Sequence, residues 1–203
     1  MLFRSDIAVL VTPNNPDGRA VPPGPLLAEA ARRAAAGRLV IVDEAFADFD
    51  GPSVIPALPA AGLAVLRSFG KAYGLAGLRL GFAIAPAPIA ASIRAALGPW
   101  AVSGPALHAG LAALPDAVWR TAAAARLAAD AARLDALLTS AGCAIVGGTR
   151  LFRLVRHPQA AAVADRLADA GILVRRFDYA PEWLRFGLPA DEAAWGRLAA
   201  ALV

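Results

Sequence analysis

A single lysine, Lys71, stands among nineteen arginines in this chain. It sits at the centre of the stretch LRSFGKAYGLAGLRLGF, Leu66–Phe82. Arginine thus fills every other cationic role, yet the two side chains are not equivalent. A guanidinium stays protonated near neutral pH and cannot act as an amine nucleophile. An ammonium can lose its proton when desolvated and then condense with a carbonyl. Taken alone, one lysine in an arginine-biased composition could equally be a chance surface residue. Its neighbours argue for chemistry. Ser68 precedes it by three residues and Arg79 follows it by eight. Gly70, Gly74, Gly77 and Gly81 permit tight turns and close approach of a ligand to the backbone. A reactive amine flanked by a hydroxyl and a guanidinium suits a small molecule carrying both an aldehyde and a phosphate, since the guanidinium fork matches phosphate oxygens. Pyridoxal 5'-phosphate (PLP) carries both groups.

Two more chemically suited residues come earlier. Asn15 lies in the turn signal Asn14-Asn15-Pro16-Asp17-Gly18, which ends the short apolar run Ile7–Val11. Alone, that signal marks only a loop. Asp43 follows the apolar run Leu39–Val42. A carboxylate at the carboxyl end of a parallel strand is where α/β sheets place ligand-binding groups. Asn15, Asp43 and Lys71 are spaced 28 and 28 residues apart, each ending or following a predicted strand. Repeating units of this length line strand ends up along one sheet edge.

The pattern S-x-x-K-x-x-x-x-x-G-x-R-x-G, from Ser68 to Gly81, resembles the lysine motif of the fold-type I PLP enzymes, the aspartate-aminotransferase superfamily. The resemblance implies that Lys71 forms the Schiff base with the cofactor and that Ser68 and Arg79 hold its phosphate. It gives Asn15 the phenolic oxygen of PLP and Asp43 the pyridinium nitrogen, whose protonation makes the ring an electron sink. Many relatives carry a second hydroxyl residue just before the lysine, where this chain has Gly70. Arg185, in WLRFGLP, matches an arginine that grips the substrate α-carboxylate, a task suited to a bidentate guanidinium. A structural ion pair is its alternative. The implied fold is α/β, of the aspartate-aminotransferase-like PLP-dependent transferase type. Residues 1–100 are expected to form the remainder of a PLP-binding large domain with a parallel-rich partial sheet. Residues 101–203 are expected to form linking helices and a small α/β C-terminal domain.

Periodicity supplies the elements. Strands are predicted at Ile7–Val11, Leu39–Val42, Leu63–Arg67, Leu80–Ala85, Ala144–Val146, Leu151–Val155, Ile172–Arg176 and Trp183–Gly187. Helices are predicted at Pro25–Gly37, Ile89–Leu97, Ala106–Leu114, Asp116–Ala141, Pro158–Ala170 and Asp191–Leu202. Gly147-Gly148 reads as a hairpin turn, and Asp48 and Asp50 read as solvated loop charges. His108 reads as a core or interdomain histidine on an alanine-rich helix, and His157 as a turn residue.

Composition narrows the function. The apolar fraction is 58 %, enough for a sizeable core, and alanine supplies much of it. No apolar run reaches the roughly 18 residues of a membrane span, and no secretory signal is evident, so a cytoplasmic protein is expected. The single cysteine, Cys143, excludes an internal disulfide and reads as a small buried residue. The net charge is +4 and the pI is near 10.2, but the arginines are dispersed, which argues against a nucleic-acid partner. No residue spacing suggests a metal site or a serine–histidine nucleophile.

Within the superfamily, the wording most resembles the threonine-phosphate decarboxylases. VTPNNPDGR, VDEAFADF, VIPAL, GPWAVSGPAL, GILVRRF and WLRFGLP carry the likeness along nearly the whole chain. Histidinol-phosphate aminotransferases are the nearest competing subfamily. Aminotransferases usually place tyrosine three residues after the pyridinium aspartate, where this chain has Phe46, as the decarboxylase-like sequences do. The resemblance implies a phosphorylated amino acid as substrate, with Arg153, Arg175 and Arg176 as candidates for its phosphate, and a homodimeric full-length enzyme. Relatives also carry a long segment ahead of the point matching Ile7, and Met1–Ser5 does not resemble them. The chain is therefore expected to be a truncated, poorly active form with part of its sheet uncovered.

Overall fold

The computed structural model describes residues 5–202; the first four residues of the unmatched lead Met1–Ser5 lie outside them. The chain divides into two compact units. One comprises residues up to Asn15 and Arg19–Ala117; the other comprises Pro16–Gly18 and the chain from Val118 onward.

The first unit is built on a four-stranded sheet. Its strands β1 (Ile7–Val11), β2 (Leu39–Asp43), β3 (Leu63–Ser68) and β4 (Gly81–Ile84) lie in that order. The first three are parallel and β4 is antiparallel to β3. Short apolar runs rich in Val, Ile and Leu make these strands, as expected of a sheet with a buried face. Helix α1 (Pro23–Ala34) returns the chain from β1 to β2, with proline at its first turn, where no N–H is needed. Leu26 and Ala30 pack on Val40, Val42, Leu63 and Val65 to form the core of this face. Alternation puts Ile7, Val9 and Leu66 on the other face, where they remain 52 %, 62 % and 37 % exposed. Arg33 is buried, with Nη2 donating to the Ser5 carbonyl at 2.5 Å and Nε to the Leu39 carbonyl at 3.4 Å.

Helices α2 (Ala87–Leu97) and α3 (Gly104–Ala113) complete this unit. Ser103 caps α3, its Oγ accepting from the Ala106 N–H at 3.4 Å. Ala106 packs against Phe69 and Leu80 within this unit. His108 is exposed on α3 rather than in a core.

The second unit has the long helix α4 (Ala117–Ser140), helices α5 (Ala160–Asp169) and α6 (Glu192–Leu202), and an antiparallel sheet. That sheet runs β5 (Ala144–Thr149), β6 (Phe152–Arg156), β8 (Trp183–Gly187) and β7 (Arg175–Arg176). Leu134, Leu138, Val155, Leu167, Leu184 and Phe186 form its core with Cys143 and Trp195. Two expectations fail here. Gly147 and Gly148 lie inside β5, beside a bulge, and the turn falls at Arg150-Leu151. A side chain at Gly147 would meet the Asp17 carbonyl at 2.2 Å, so the glycine allows a backbone–backbone approach. Strand β7 is only two residues long, because Ile172 and Val174 pack on the core instead of joining the ladder.

Candidate active site

The sheet register brings the predicted chemistry to one edge. Val11 pairs with Asp43, and Asp43 with Leu66, so β1, β2 and β3 end together. Asn15 lies in the turn after β1, closed by the Asn14 N–H donating to the Arg19 carbonyl at 2.9 Å. Asp43 is the last residue of β2. Ser68 is the last of β3 and pairs with Gly81, the first of β4, so Arg79 reaches the same edge from the antiparallel side. Lys71 follows three residues after Ser68, in the loop that leaves β3, so five residues predicted from sequence gather at the carboxyl ends of a parallel sheet, the position where such sheets bind ligands.

Half-buried Asp43 is oriented by its own turn: its Oδ1 accepts from the Ala45 N–H at 2.9 Å. Ser68 Oγ accepts from the Gly70 N–H at 3.2 Å. Lys71 is exposed, and its Nζ lies 5.5 Å from the centre of the Phe46 ring. The ring face attracts a cationic amine electrostatically. Arg79 takes a left-handed backbone, φ 53°, and its Nη1 donates to the Ala76 carbonyl at 3.2 Å. Such a conformation in a residue with a Cβ is costly and clusters at ligand clamps.

Ser68, Gly70, Ala76, Arg79, Leu80 and Gly81 line a recess of about 180 Å³. A Cβ at Gly70 would meet Ala76 Cα at 3.2 Å and Ser68 Oγ at 3.5 Å, projecting into that lining. The recess has a hydroxyl, a guanidinium and glycine backbone, the donor set that a phosphate group requires. The recess therefore fits the phosphate end of a phosphate-bearing aldehyde cofactor, and Lys71 directly follows Gly70 of its lining in sequence.

Beneath the edge lies a charged group that sequence reading missed. Arg67 Nη2 is 3.1 Å from Glu44 Oε2, and its Nη1 is 3.0 Å from Asp48 Oδ1. Ser53 Oγ donates to Glu44 Oε2 at 2.6 Å and accepts from Arg67 Nη2 at 3.2 Å. The Val54 N–H donates to Glu44 Oε1 at 2.8 Å. Glu44 is fully buried. Asp48 is accordingly a half-buried ion-pair partner, not a solvated loop charge. The signal was present: Arg67 occupies the core-facing phase of β3 with Leu63 and Val65, where a charge requires partners.

The remaining candidates belong to the second unit. Arg185 is half-buried, its guanidinium 5.2 Å from the centre of the Phe152 ring. Burial holds its pKa below the ordinary value and the neighbouring Arg175 guanidinium adds to this. Arg175 pairs with Arg185 across the β7–β8 ladder. Arg153 forms a fork with Asp135 at 2.6 and 2.7 Å, and Arg176 pairs with Asp165. Among the three phosphate candidates, Arg153 and Arg176 are therefore engaged by carboxylates.

Residues 4–202 match the family model for aminotransferase class I and II. The chain belongs to that family. Among class I and II relatives, the chain is 52 % identical over 199 residues to the threonine-phosphate decarboxylase of a Sinorhizobium species, covering 97 % of this chain and 59 % of the relative. It is 47 % identical to the threonine-phosphate decarboxylase of Pseudomonas aeruginosa, covering 98 % and 60 %. The chain thus spans about three fifths of the length of these curated relatives. A solved structure of histidinol-phosphate aminotransferase from Sinorhizobium meliloti in complex with pyridoxal-5'-phosphate superposes with a TM-score of 0.82 at 27 % identity, covering 98 % of this chain and 56 % of that one. The aminotransferase-like α/β fold expected from sequence is the fold observed. Among the described residues no helix is long and apolar enough to cross a membrane.

Proposed function

We propose that this chain carries the PLP site of a threonine-phosphate decarboxylase, converting L-threonine O-3-phosphate to (R)-1-amino-2-propanol O-2-phosphate and carbon dioxide. The observation that carries the reading is the convergence of Asn15, Asp43, Ser68, Lys71 and Arg79 at one sheet edge beside a phosphate-sized recess. The level of identity to decarboxylases supports the choice of reaction. When bound, PLP supplies an electron sink for the pair left on the α-carbon.

The chain's own residues have distinct tasks. Ser68 and Arg79 bind the cofactor phosphate, and Lys71 offers the amine. Asp43 sets a negative charge against the ring nitrogen and holds its proton, while Asn15 donates to the phenolic oxygen. Phe46 lies against the Lys71 amine and has no hydroxyl to donate, which supports decarboxylation over transamination. Arg185 is the guanidinium proposed for the substrate carboxylate, and its partial desolvation strengthens a bidentate pair. Arg175 is the candidate for the substrate phosphate that is not held by a carboxylate in the observed ion pairs. By orienting the carboxylate and phosphate, these guanidiniums would decide which bond at the α-carbon is placed to break. A cytoplasmic homodimer acting in cobalamin synthesis is the setting that this reading implies.

The test compares products. The protein is supplied with PLP and either threonine phosphate, or histidinol phosphate with 2-oxoglutarate. Carbon dioxide and glutamate are then measured. An excess of carbon dioxide is expected whatever the absolute rate. Faster transamination of histidinol phosphate would overturn the reading in favour of an aminotransferase.

A further inference from the structure

Each residue proposed to touch the cofactor on the two central strands has a neighbour in sequence that belongs to the charged group around buried Glu44. Asp43 is followed by Glu44, and Ser68 is preceded by Arg67. In a strand, successive side chains point to opposite faces. Ser68 therefore shares a face with Leu66 and Ala64, while Arg67 takes the α1 side with Val65 and Leu63. The guanidinium then reaches from β3 to Glu44 at the end of β2, and to Asp48 and Ser53 in the segment beyond it. Glu44 is fully buried, and a second branch of hydrogen bonds from Ser53 Oγ and the Val54 N–H fixes both of its oxygens.

We propose that Arg67 is a positioning residue: by bridging Glu44 and Asp48 it fixes the separation of the β2 and β3 ends, and so the placement of Asp43 relative to Ser68 and Lys71. The inference rests on the PLP reading for its functional consequence. Its geometry does not. Two nitrogens of one planar fork engage three acceptors on separate parts of the chain, which a single lysine ammonium cannot reproduce. Loss of the guanidinium would leave Glu44 buried without its cation, and the loop from Ala45 to Ser53 would move to rehydrate it. The turn that orients Asp43 begins in that loop, through the Ala45 N–H. At the other strand, Ser68 and its bond from the Gly70 N–H follow Arg67 directly.

The test uses R67M and R67K in the full chain, with residue-resolved amide hydrogen exchange and PLP affinity from the visible absorbance band. R67M should speed exchange selectively at Ala45, Val54 and Gly70, while the ladder amides of Val40 and Val42 keep near-wild-type rates. PLP should bind about 10- to 100-fold more weakly, the scale of loss when an outer support is removed. R67K should recover part of that affinity, because it restores the charge but not the fork. Uniform acceleration over β1, β2, β3 and α1 would make Arg67 a general stability residue and overturn the proposal. Unchanged exchange at Ala45 and Gly70 would overturn it as well. If R67M does not fold, E44Q carries the same comparison, since it removes the charge opposite Arg67 at nearly constant shape. A wild-type chain without any PLP band would sink the cofactor reading, while the exchange pattern would still decide the role of Arg67.

Discussion

The first sheet is fastened at both ends by an arginine, fully buried at the amino end and half-buried at the carboxyl end, and the two ends differ in what that arginine holds. At the amino end Arg33 donates to the backbone carbonyls of Ser5 and Leu39, with Glu29 3.8 Å away on the same helix. Those carbonyls lie at the strand starts, and the bond closes the sheet against α1. At the carboxyl end Arg67 holds side chains: Glu44, Asp48 and Ser53. These belong to the segment that directly follows Asp43. One guanidinium satisfies backbone and the other organises loops. Loops at the carboxyl edge are where a parallel sheet presents its chemistry. Burial of an arginine is therefore no guide to function by itself; the identity of its partners is.

The largest effect expected is all-or-none. Lys71→Ala should abolish the visible PLP band and its bleaching by borohydride, because no other lysine exists to replace it. Lys71 is exposed, so the same substitution should leave stability within about 0.5 kcal/mol of wild type. A retained band would break the assignment of the carboxyl end as the reactive one. Next comes Arg33→Met, which strands carbonyls at the amino end and should cost about 3 kcal/mol in urea unfolding. PLP affinity of the folded fraction should stay unchanged. A clear loss of affinity there would erase the distinction between the two ends. Asp43→Asn should reverse that pattern. It removes a negative charge and keeps the shape, so turnover should fall about 10²- to 10³-fold with little change in the urea midpoint.

Much of this comparison was legible in the sequence. Strands β1 and β8 begin and end where the apolar runs do, because turn residues bound them sharply. The parallel register of β1, β2 and β3 follows from similar unit lengths, and it brought Asn15, Asp43 and Lys71 to one edge. The support under the edge was not legible as such. Asp48 resembles a loop charge until Arg67 is seen to reach it from nineteen residues away. Ser53 sits in a proline-punctuated loop whose path no periodicity determines. Gly147-Gly148 resembles a turn because glycine permits one, yet close backbone approach in a strand calls for the same residue. Asp48, Ser53 and Gly147 share one cause: a long-range partner fixes each residue, and the local pattern does not name that partner.

The smallest effect expected sharpens the amino end. Glu29 accepts a fork from Arg32 at 2.6 and 2.8 Å and lies near Arg33. The hydrogen bonds from Arg32 hold its carboxyl below the ordinary pKa, with the charges of Arg32 and Arg33 adding to this. A carboxyl depressed in the folded state contributes stability that is present above its unfolded pKa, about 4.3. That contribution is lost as the pH falls through the lower folded value. Glu29→Gln should therefore reduce the urea midpoint slightly at pH 7, by the modest amount typical of a solvated helix pair. The difference from wild type should start to shrink below about pH 4.3 and vanish only below the lower folded pKa, where both proteins carry an uncharged side chain at this position. Salt should narrow the gap at pH 7 too, since the pair is open to solvent. If Glu29 instead acted chiefly by holding Arg33 in place, the amide of Leu39 would lose protection along with the midpoint. The Ser5 and Leu39 carbonyls already fix Arg33, so that protection should persist. A gap that stays constant down to pH 3 would show that the substitution acts through helix packing, and not through the charge.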